Sequence, residues 1–193
     1  GEPLAFLAQI NFADMPPLPH FPTQGILQFY IDANDDLWGL DFDNPTAQNG
    51  FRVVYFADLI TDPQQLHANI AAYTTFDPDC LPFAGQYAMQ FSAASQYISL
   101  DDHRFTLTHQ QTGETIDASN IWKQDDEFFE AYHAAFSAEG HRMGGYPYFT
   151  QTDPREYSAA YADDVLLLQL DSDVENGVEM LWGDVGVCNF FIH

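Results

Sequence analysis

Four carboxylates near the end of the chain have the residue types and spacing closest to those of a metal site. They are Asp171, Asp173, Glu175 and Asp184. Clustered carboxylates suit Ca²⁺ or Mg²⁺, since both ions prefer oxygen ligands. The EF-hand register fails, because glycine stands at loop position 7 instead of 6 and Trp182 replaces the bidentate glutamate. We expect a solvated acidic hairpin; the alternative is a metal-assisted hydrolase that uses Asp171, Asp173 and Asp184.

Two adjacent glycines, Gly144 and Gly145, precede a Tyr-Pro pair. Paired glycines let the backbone adopt positive φ and approach a ligand or a strand closely. With Gln151 and Arg155 nearby, the stretch could form a pocket for an anionic or peptide group; the alternative is a tight structural turn. It is neither a P-loop nor a GxGxxG loop. Together with the acidic hairpin, the candidate binding surface consists of Gly144, Gly145, Tyr146, Gln151, Arg155, Trp182 and Asp184.

The sequence contains no recognisable catalytic motif. There is no Gly-x-Ser-x-Gly nucleophile elbow, and the histidines include no HExxH pair. A thiol–imidazole pair of Cys80 or Cys188 with His141 could be proposed, but no spacing supports it. The two cysteines form neither a CxxC metal knuckle nor a disulfide framework. We therefore predict no catalytic residue and no cofactor.

The net charge favours some classes of binding partner and disfavours others. The chain has 29 acidic residues against 5 lysines and arginines, which gives a formal net charge of −24. A nucleic-acid backbone and an anionic membrane would both be repelled, whereas a basic partner protein would be attracted and steered. The alternative is that the acidity simply keeps an aromatic-rich protein in solution. Each cation is expected either in a structural ion pair or as a fork that recognises an anion.

A folded core must position these side chains. A chain of 193 residues is long enough for one domain, which would bury roughly 70% of its unfolded surface. The 17 Phe and 10 Tyr residues supply that core. We find no linker and predict a single domain over residues 1–193. No signal peptide and no apolar run long enough for a bilayer is recognisable, so we predict a cytoplasmic protein.

Strands are predicted where β-branched and aromatic residues cluster or alternate. They cover residues 4–12, 26–32, 52–56, 86–91, 104–109, 165–171, 178–182 and 187–192. Three helices are predicted from aspartates in capping positions. They begin at Asp62, Asp125 and Asp153 and run to about residues 73, 139 and 161.

Two stretches of the chain repeat each other. LAQIN at 7–11 with GILQFYI at 25–31 matches LLQLD at 167–171 with GVCNFFI at 186–192. From the glutamine of the first block to the glycine of the second is 16 positions in one copy and 17 in the other. This fixed order predicts an internally duplicated strand–loop–strand unit; chance similarity between apolar strands is the alternative.

Most of the chain is similar to one known family. The specific blocks are HRMGGYPYF at 141–149, LLLQLDSD at 166–173 and WGDVGVCNFFI at 182–192; PLAFLAQIN at 3–11 and GFRVVY at 50–55 extend the match. These blocks resemble the YwqG-like family, a bacterial family described mainly as a domain of unknown function. The resemblance implies an α+β fold, with mostly antiparallel sheet, a few helices and a duplicated core. It implies no catalytic mechanism.

The repeat also predicts that a segment is missing at the N-terminus, relative to the usual YwqG-like domain. In the second copy, the Gly-Gly-x-Pro element begins 25 positions before Gln169. The same offset before Gln9 falls upstream of Gly1. The intact mass of the natural gene product would test this expectation.

The function predicted from the sequence is a non-catalytic, acidic module that binds a protein partner. Its contact surface would lie near residues 144–155 and 182–184. One specific version is an inhibitor or immunity-type protein whose carboxylates block a basic enzyme, such as a nuclease. The alternatives are the metal-assisted hydrolase and a structural protein without a small ligand. The oligomeric state is left open.

Overall fold

The computed structural model describes residues 3–66, 76–117, 119–175 and 177–193. These residues are rich in antiparallel β-sheet and contain a single α-helix. None of their helices is long and apolar enough to cross a membrane. The chain divides into two compact units, Gly1–Ala93 and Ala94–His193.

Unit 1 is built on a three-stranded antiparallel sheet in the order β1-β2-β3. The strands of this sheet are β1 (Ala5–Asn11), β2 (Ile26–Ile31) and β3 (Phe51–Phe56); unit 1 also contains the short strand β4 (Phe83–Ala84). Buried and half-buried residues alternate along β2, with Leu27, Phe29 and Ile31 buried. Because successive side chains of a strand point to opposite faces, these three residues cover one face of the sheet and form its core.

Unit 2 contains two antiparallel hairpins and the helix. Its elements are β5 (Thr106–Thr108), β6 (Thr115–Asp117), α1 (Asp126–Phe136), β7 (Val165–Asp171), β8 (Glu179–Met180) and β9 (Val187–Ile192). β5 pairs with β6, and β7 pairs with β9. Every residue from Leu166 to Leu170 is buried, so β7 has packing on both faces. The helix begins as predicted, because the Asp125 carboxylate accepts a hydrogen bond from the Phe128 amide at 2.9 Å.

The two hairpins that carry the repeated sequence share a local irregularity. The register of β1 against β2 shifts between Phe6 and Ala8. The register of β7 against β9 shifts between Leu166 and Leu168, which are the corresponding positions of the second copy. An extra residue at such a bulge bends a strand and increases its twist, so both hairpins bend at the same point of the repeat.

Three sequence predictions differ from the observed elements. Asp153 caps only a 3-10 turn, Pro154–Tyr157, because Ser158 is already extended at φ −147. Asp62 caps a 3-10 turn at Pro63–Gln65, and the helix predicted after it falls largely on residues 67–75, outside the described part of the chain. The strand predicted over 86–91 is wrong. Residues 86–90 are all exposed, so their alternating pattern does not place one face of the segment against a core.

The loop between β2 and β3, residues 32–50, is held by the close approach of two glycines. Gly39 has φ +93, and a Cβ on Gly39 would lie 1.8 Å from the Gly50 carbonyl oxygen. The Gly39 amide donates to the Asp35 carboxylate at 2.8 Å. The Asp32 amide donates to the Gly50 carbonyl at 2.8 Å. These contacts fix the backbone of the loop.

Replacing Gly39 by alanine is therefore expected to lower the free energy of unfolding by about 2–5 kcal/mol. The backbone strain of a side chain at positive φ contributes about 1–2 kcal/mol, and the overlap with a backbone carbonyl adds about 1–3 kcal/mol. Chemical denaturation measures the loss.

The matched control is Gly85→Ala in the same unit. Gly85 has φ +89, but its nearest neighbour would be the Tyr87 hydroxyl at 3.4 Å. This control isolates the cost of the positive φ. Equal losses for the two variants would show that the glycine–glycine approach does not constrain the loop.

Candidate functional site

One buried side chain in β7 fixes the predicted Gly-Gly-Tyr-Pro stretch. Gln169 is 0% exposed, and its Nε2 donates to the carbonyls of Ala138 and Gly140, each at 2.7 Å. Its Oε1 accepts from the Tyr148 amide at 2.8 Å. The backbones of Gln169 and Arg142 also exchange two hydrogen bonds, at 3.0 and 2.8 Å. The segment from 138 to 148 is therefore shaped by the donors and acceptors of a single residue.

The two glycines form a turn that is closed by a side chain of the same unit. Gly144 and Gly145 have φ 66 and 75. The Gln96 Oε1 accepts from the Tyr146 amide at 2.8 Å, and the Gln96 Nε2 donates to the Tyr146 carbonyl at 3.1 Å. A Cβ on Gly145 would lie 2.3 Å from the Gln96 Oε1. The Tyr146 amide and carbonyl, which could hold an anionic or peptide ligand, are therefore already hydrogen-bonded to Gln96. This arrangement favours the tight-turn alternative.

Arg155 lies inside unit 2 and is only 2% exposed. Its Nη2 donates to Asp153 at 2.7 Å and to Asp102 at 2.9 Å. Its Nη1 donates to the Asp164 carbonyl at 2.8 Å, and the guanidinium lies 4.8 Å from the centre of the Phe191 ring. This burial removes the Arg155 side chain from the candidate binding surface, because an internal ion pair occupies it.

A second arginine binds the same carboxylate of Asp102. The Arg104 Nε and Nη2 donate to the two Asp102 oxygens at 2.8 and 2.7 Å, which is a bidentate pair. Burial opposes the ionisation of Asp102, but the hydrogen bonds from Arg104 and the nearby Arg155 guanidinium outweigh it and lower the pKa of Asp102 to about 2. Asp102 is therefore a carboxylate at neutral pH.

The two aspartates use one local motif. The Asp102 carboxylate accepts from the Arg104 amide at 2.9 Å, and the Asp153 carboxylate accepts from the Arg155 amide at 3.0 Å. Each arginine then folds its guanidinium back onto its own aspartate. The repeated Asp-x-Arg spacing is a signal in the sequence from which this cluster could have been found, and the sequence analysis missed it.

Asp102, His103 and Asp153 have potential metal-ligating atoms within 4.8 Å of one another. The two carboxylates, however, already bind the guanidiniums of Arg104 and Arg155. The His103 Nε2 lies 3.0 Å from a backbone carbonyl oxygen, to which only a protonated ring nitrogen can donate. A metal ion here would meet two fixed positive charges at short range. The cluster is therefore a structural ion network rather than a metal centre.

Asp171, Asp173 and Asp184 engage separate groups. The Asp171 Oδ2 accepts from the Gly140 amide at 2.7 Å, the Asp173 Oδ1 accepts from the Glu175 amide at 2.9 Å, and Asp184 is exposed. In the part of the chain that the structure describes, these three carboxylates form no group within metal-ligating reach. The geometry gives no support to a metal-assisted hydrolase at this position.

A thiol–imidazole pair of Cys188 with His141 also lacks support in unit 2. Burial raises the pKa of the Cys188 thiol to about 12, so this thiol is protonated and a poor nucleophile at neutral pH. The His141 Nδ1 accepts a hydrogen bond from the Asp171 amide at 3.1 Å, which fixes the ring against β7.

The acidic hairpin between β7 and β9, residues 172–186, is anchored from within. The Ser172 hydroxyl donates to the Gly186 carbonyl at 2.8 Å and accepts from the Trp182 amide at 3.0 Å. The Trp182 side chain is 5% exposed, so it serves as an anchor of the hairpin and is not on the candidate binding surface.

The outer face of this hairpin mixes apolar and acidic side chains. Val174 is 70% exposed and Val185 is 64% exposed. We define the hairpin surface as Val174, Glu175, Leu181, Asp184 and Val185, all of which are exposed. Of the other candidate binding residues, Gly145 and Gln151 are also exposed, Tyr146 is half-buried and Gly144 is buried.

The 32–50 loop of unit 1 presents the same mixture. Phe42 is 75% exposed and lies between Asp41 and Asp43 in the sequence. The Asp41 carboxylate accepts from the amides of Asp43 and Asn44 at 2.9 and 3.1 Å, which fixes the turn beside Phe42. We define the loop surface as Leu37, Leu40, Asp41, Phe42 and Asp43, all of which are exposed. None of these five residues belongs to the candidate binding surface predicted from the sequence.

Comparison with known families gives one match. The model of a family described as a domain of unknown function (DUF1963) matches residues 1–193, the whole chain. No curated protein matches the chain.

Replacing Asp102 by asparagine is expected to lower the free energy of unfolding by about 3–5 kcal/mol at pH 7, because the buried Arg155 loses a counter-charge. Folding lowers the pKa of Asp102 from 3.8 to about 2. Its stabilising contribution is therefore complete above about pH 4 and is lost as the pH falls towards 2. The difference between wild type and variant should shrink over that range in denaturation measured at several pH values.

Asp163→Asn is the control for the change in net charge, since Asp163 is exposed. Its effect should stay within about 0.5 kcal/mol. If Asp102→Asn costs no more than this control, the ion network does not stabilise unit 2.

Proposed function

The chain belongs to the DUF1963 family, whose description assigns no activity, and we propose from its geometry that it is a non-catalytic, acidic module that binds a basic protein. The observation that carries this proposal is the exposure of large apolar side chains between carboxylates on anchored loops. Phe42 is 75% exposed on the loop surface, and Val174 is 70% exposed on the hairpin surface.

Such surfaces combine the two contributions that a protein interface needs. Exposed apolar side chains are buried when a partner binds, and a few such anchors, most often aromatic ones, contribute most of the binding free energy. The carboxylates around them complement a positively charged partner and steer its approach. The formal net charge of −24 extends this steering over the whole chain. The internal contacts of both loops reduce the conformational entropy that binding would cost.

A specific version of this function is an inhibitor or immunity-type protein whose carboxylates cover a basic enzyme, such as a nuclease. Two alternatives remain. The acidity could serve solubility alone, in which case neither surface has a partner. A metal-assisted hydrolase using Asp171, Asp173 and Asp184 is the enzymatic alternative, and the separate engagement of these carboxylates counts against it.

Several finer assignments belong to the same proposal. The YwqG-like resemblance, the α+β class, the internal duplication, the single domain and the cytoplasmic location are all predictions from the sequence. The shared bulge position of the two hairpins is the structural feature that supports the duplication. The absence of nucleic-acid partners follows from the charge argument and is likewise a prediction.

The proposal is tested by affinity capture from the source cell at low and high salt, followed by a binding measurement with the captured protein. We expect a basic protein that dissociates at high salt, because exposed charge pairs are screened. Phe42→Ser should weaken its binding at least tenfold, in line with the loss of a hot-spot side chain. A salt-insensitive association rate would contradict the electrostatic part of the proposal.

Tyr157→Ser is the matched control. Tyr157 is 72% exposed, close to the 75% of Phe42, but it lies on neither defined surface. Its replacement should leave binding unchanged. Val174→Ser and Val185→Ser test the hairpin surface in the same way. If Phe42→Ser, Val174→Ser and Val185→Ser all bind the captured protein as well as Tyr157→Ser does, neither surface is the contact site.

A further inference from the structure

A cleft beside α1 in unit 2 is lined by both apolar and titratable side chains. Its volume is about 570 Å³, within the range of roughly 300–1,000 Å³ that small-molecule sites occupy. Leu100, Ile121 and Phe129 supply apolar walls. None of the residues that line this cleft was predicted from the sequence as a site residue.

Three titratable groups also line this cleft: Asp101, Glu130 and His133. Two of the three are acidic, and none is a lysine or arginine. An anionic ligand would meet repulsion from both carboxylates. In the described part of the chain these groups do not form a set within metal-ligating reach, so a metal ion is not the expected occupant either.

Asp101 is the group whose environment is incomplete. Its side chain is half-buried, and among the described residues no other residue donates a hydrogen bond to its carboxylate. Its neighbour Asp102, in contrast, accepts from two arginines. The pKa of Asp101 is raised to about 6, mainly by burial; within that net shift His133 acts to lower the pKa, and Glu139 and Asp153 act to raise it. Asp101 is therefore mostly ionised at neutral pH while lacking the counter-charge that its neighbour has.

We propose that this cleft binds a protonated amine on an apolar stem, with the ammonium group at the Asp101 carboxylate and the stem against Phe129 and Ile121. An ammonium group brings both the positive charge and the N–H donors that Asp101 lacks. Glu130 adds a second carboxylate at the cleft, and the apolar walls contribute by excluding water from the stem. The site is independent of the two surfaces assigned to the basic partner.

The amine could come from a free small molecule or from a lysine side chain of another protein. The chemistry that the cleft recognises is the same in both cases. A free aryl-alkyl amine and a blocked lysine derivative therefore serve as the two arms of the test, and the arm that binds more tightly identifies the source.

The experiment is a titration of the ¹⁵N-labelled full chain, followed by NMR at pH 7.5. Phenethylamine and Nα-acetyl-lysine methylamide are the probes. We expect at least one of them to shift the amides of Phe129, Glu130 and His133 with a Kd on the order of 1 mM. Phenylacetate, which has a similar stem and the opposite charge, should cause no such shifts. Methylammonium, which lacks the stem, should bind more weakly.

Asp101→Asn should weaken amine binding at least tenfold, whereas the exposed Asp163→Asn should not change it. The asparagine variant is expected to fold, and the midpoint of its thermal unfolding at pH 7 should rise. An aspartate whose pKa rises on folding from 3.8 to about 6 destabilises the folded state increasingly as the pH rises from the lower value through the higher one. Equal binding by the two variants would mean that amines follow the net charge alone and would overturn the proposal, as would the absence of binding by either probe.

The pH dependence provides an independent readout. Glu130, His133, Glu139 and Asp153 are the titratable groups around Asp101. The ionisation of Asp101 favours the bound ammonium as the pH rises. The affinity should therefore fall by about tenfold between pH 7.5 and pH 5 in the wild type, and the change should be smaller in Asp101→Asn. A flat profile in the wild type would contradict a role for Asp101.

Discussion

The side-chain amide of Gln169 is the interaction on which the organisation of unit 2 depends. It joins the chain after α1, at Ala138 and Gly140, to the Gly-Gly turn segment at Tyr148. Asn189, opposite Gln169 in the β7–β9 register, donates to the Tyr148 carbonyl at 2.9 Å. A buried polar side chain is stable only when its donors and acceptors are satisfied. The packing of β7 therefore determines where the segment before it must lie.

Asp101 and Asp102 illustrate how position alone assigns different roles to neighbouring residues of one type. Asp102 faces two arginines inside the unit, and its pKa falls to about 2. Asp101 faces the cleft beside α1, and its pKa rises to about 6, mainly because of burial. A carboxyl group with a raised pKa at the edge of a cleft is a candidate for a functional group, which is why Asp101 and not Asp102 carries the proposal above. The difference arises from the arginines, since burial acts on both groups in the same direction.

Local features of the sequence were sufficient for much of the fold. The strands predicted at 165–171 and 187–192 match β7 and β9, because their apolar runs are long and bounded by turn residues. Asp125 caps α1 as predicted, because capping involves only residues of the first helical turn. The strand expected at 86–91 does not form. A strand needs a partner strand and a buried face, and neither is encoded in the local sequence.

The sequence by itself determined the net charge, the helix cap, the strands β7 and β9 and the need for glycine in the 144–145 turn. These properties depend on composition or on residues a few positions apart. The tertiary structure alone decided that Arg155 and Trp182 are internal, that Asp102 binds an arginine 53 positions away, and that Asp101 borders the cleft beside α1. Burial and hydrogen-bond partners depend on residues distant in the chain, and these two quantities decide whether a charged side chain stabilises the fold or is available to a ligand.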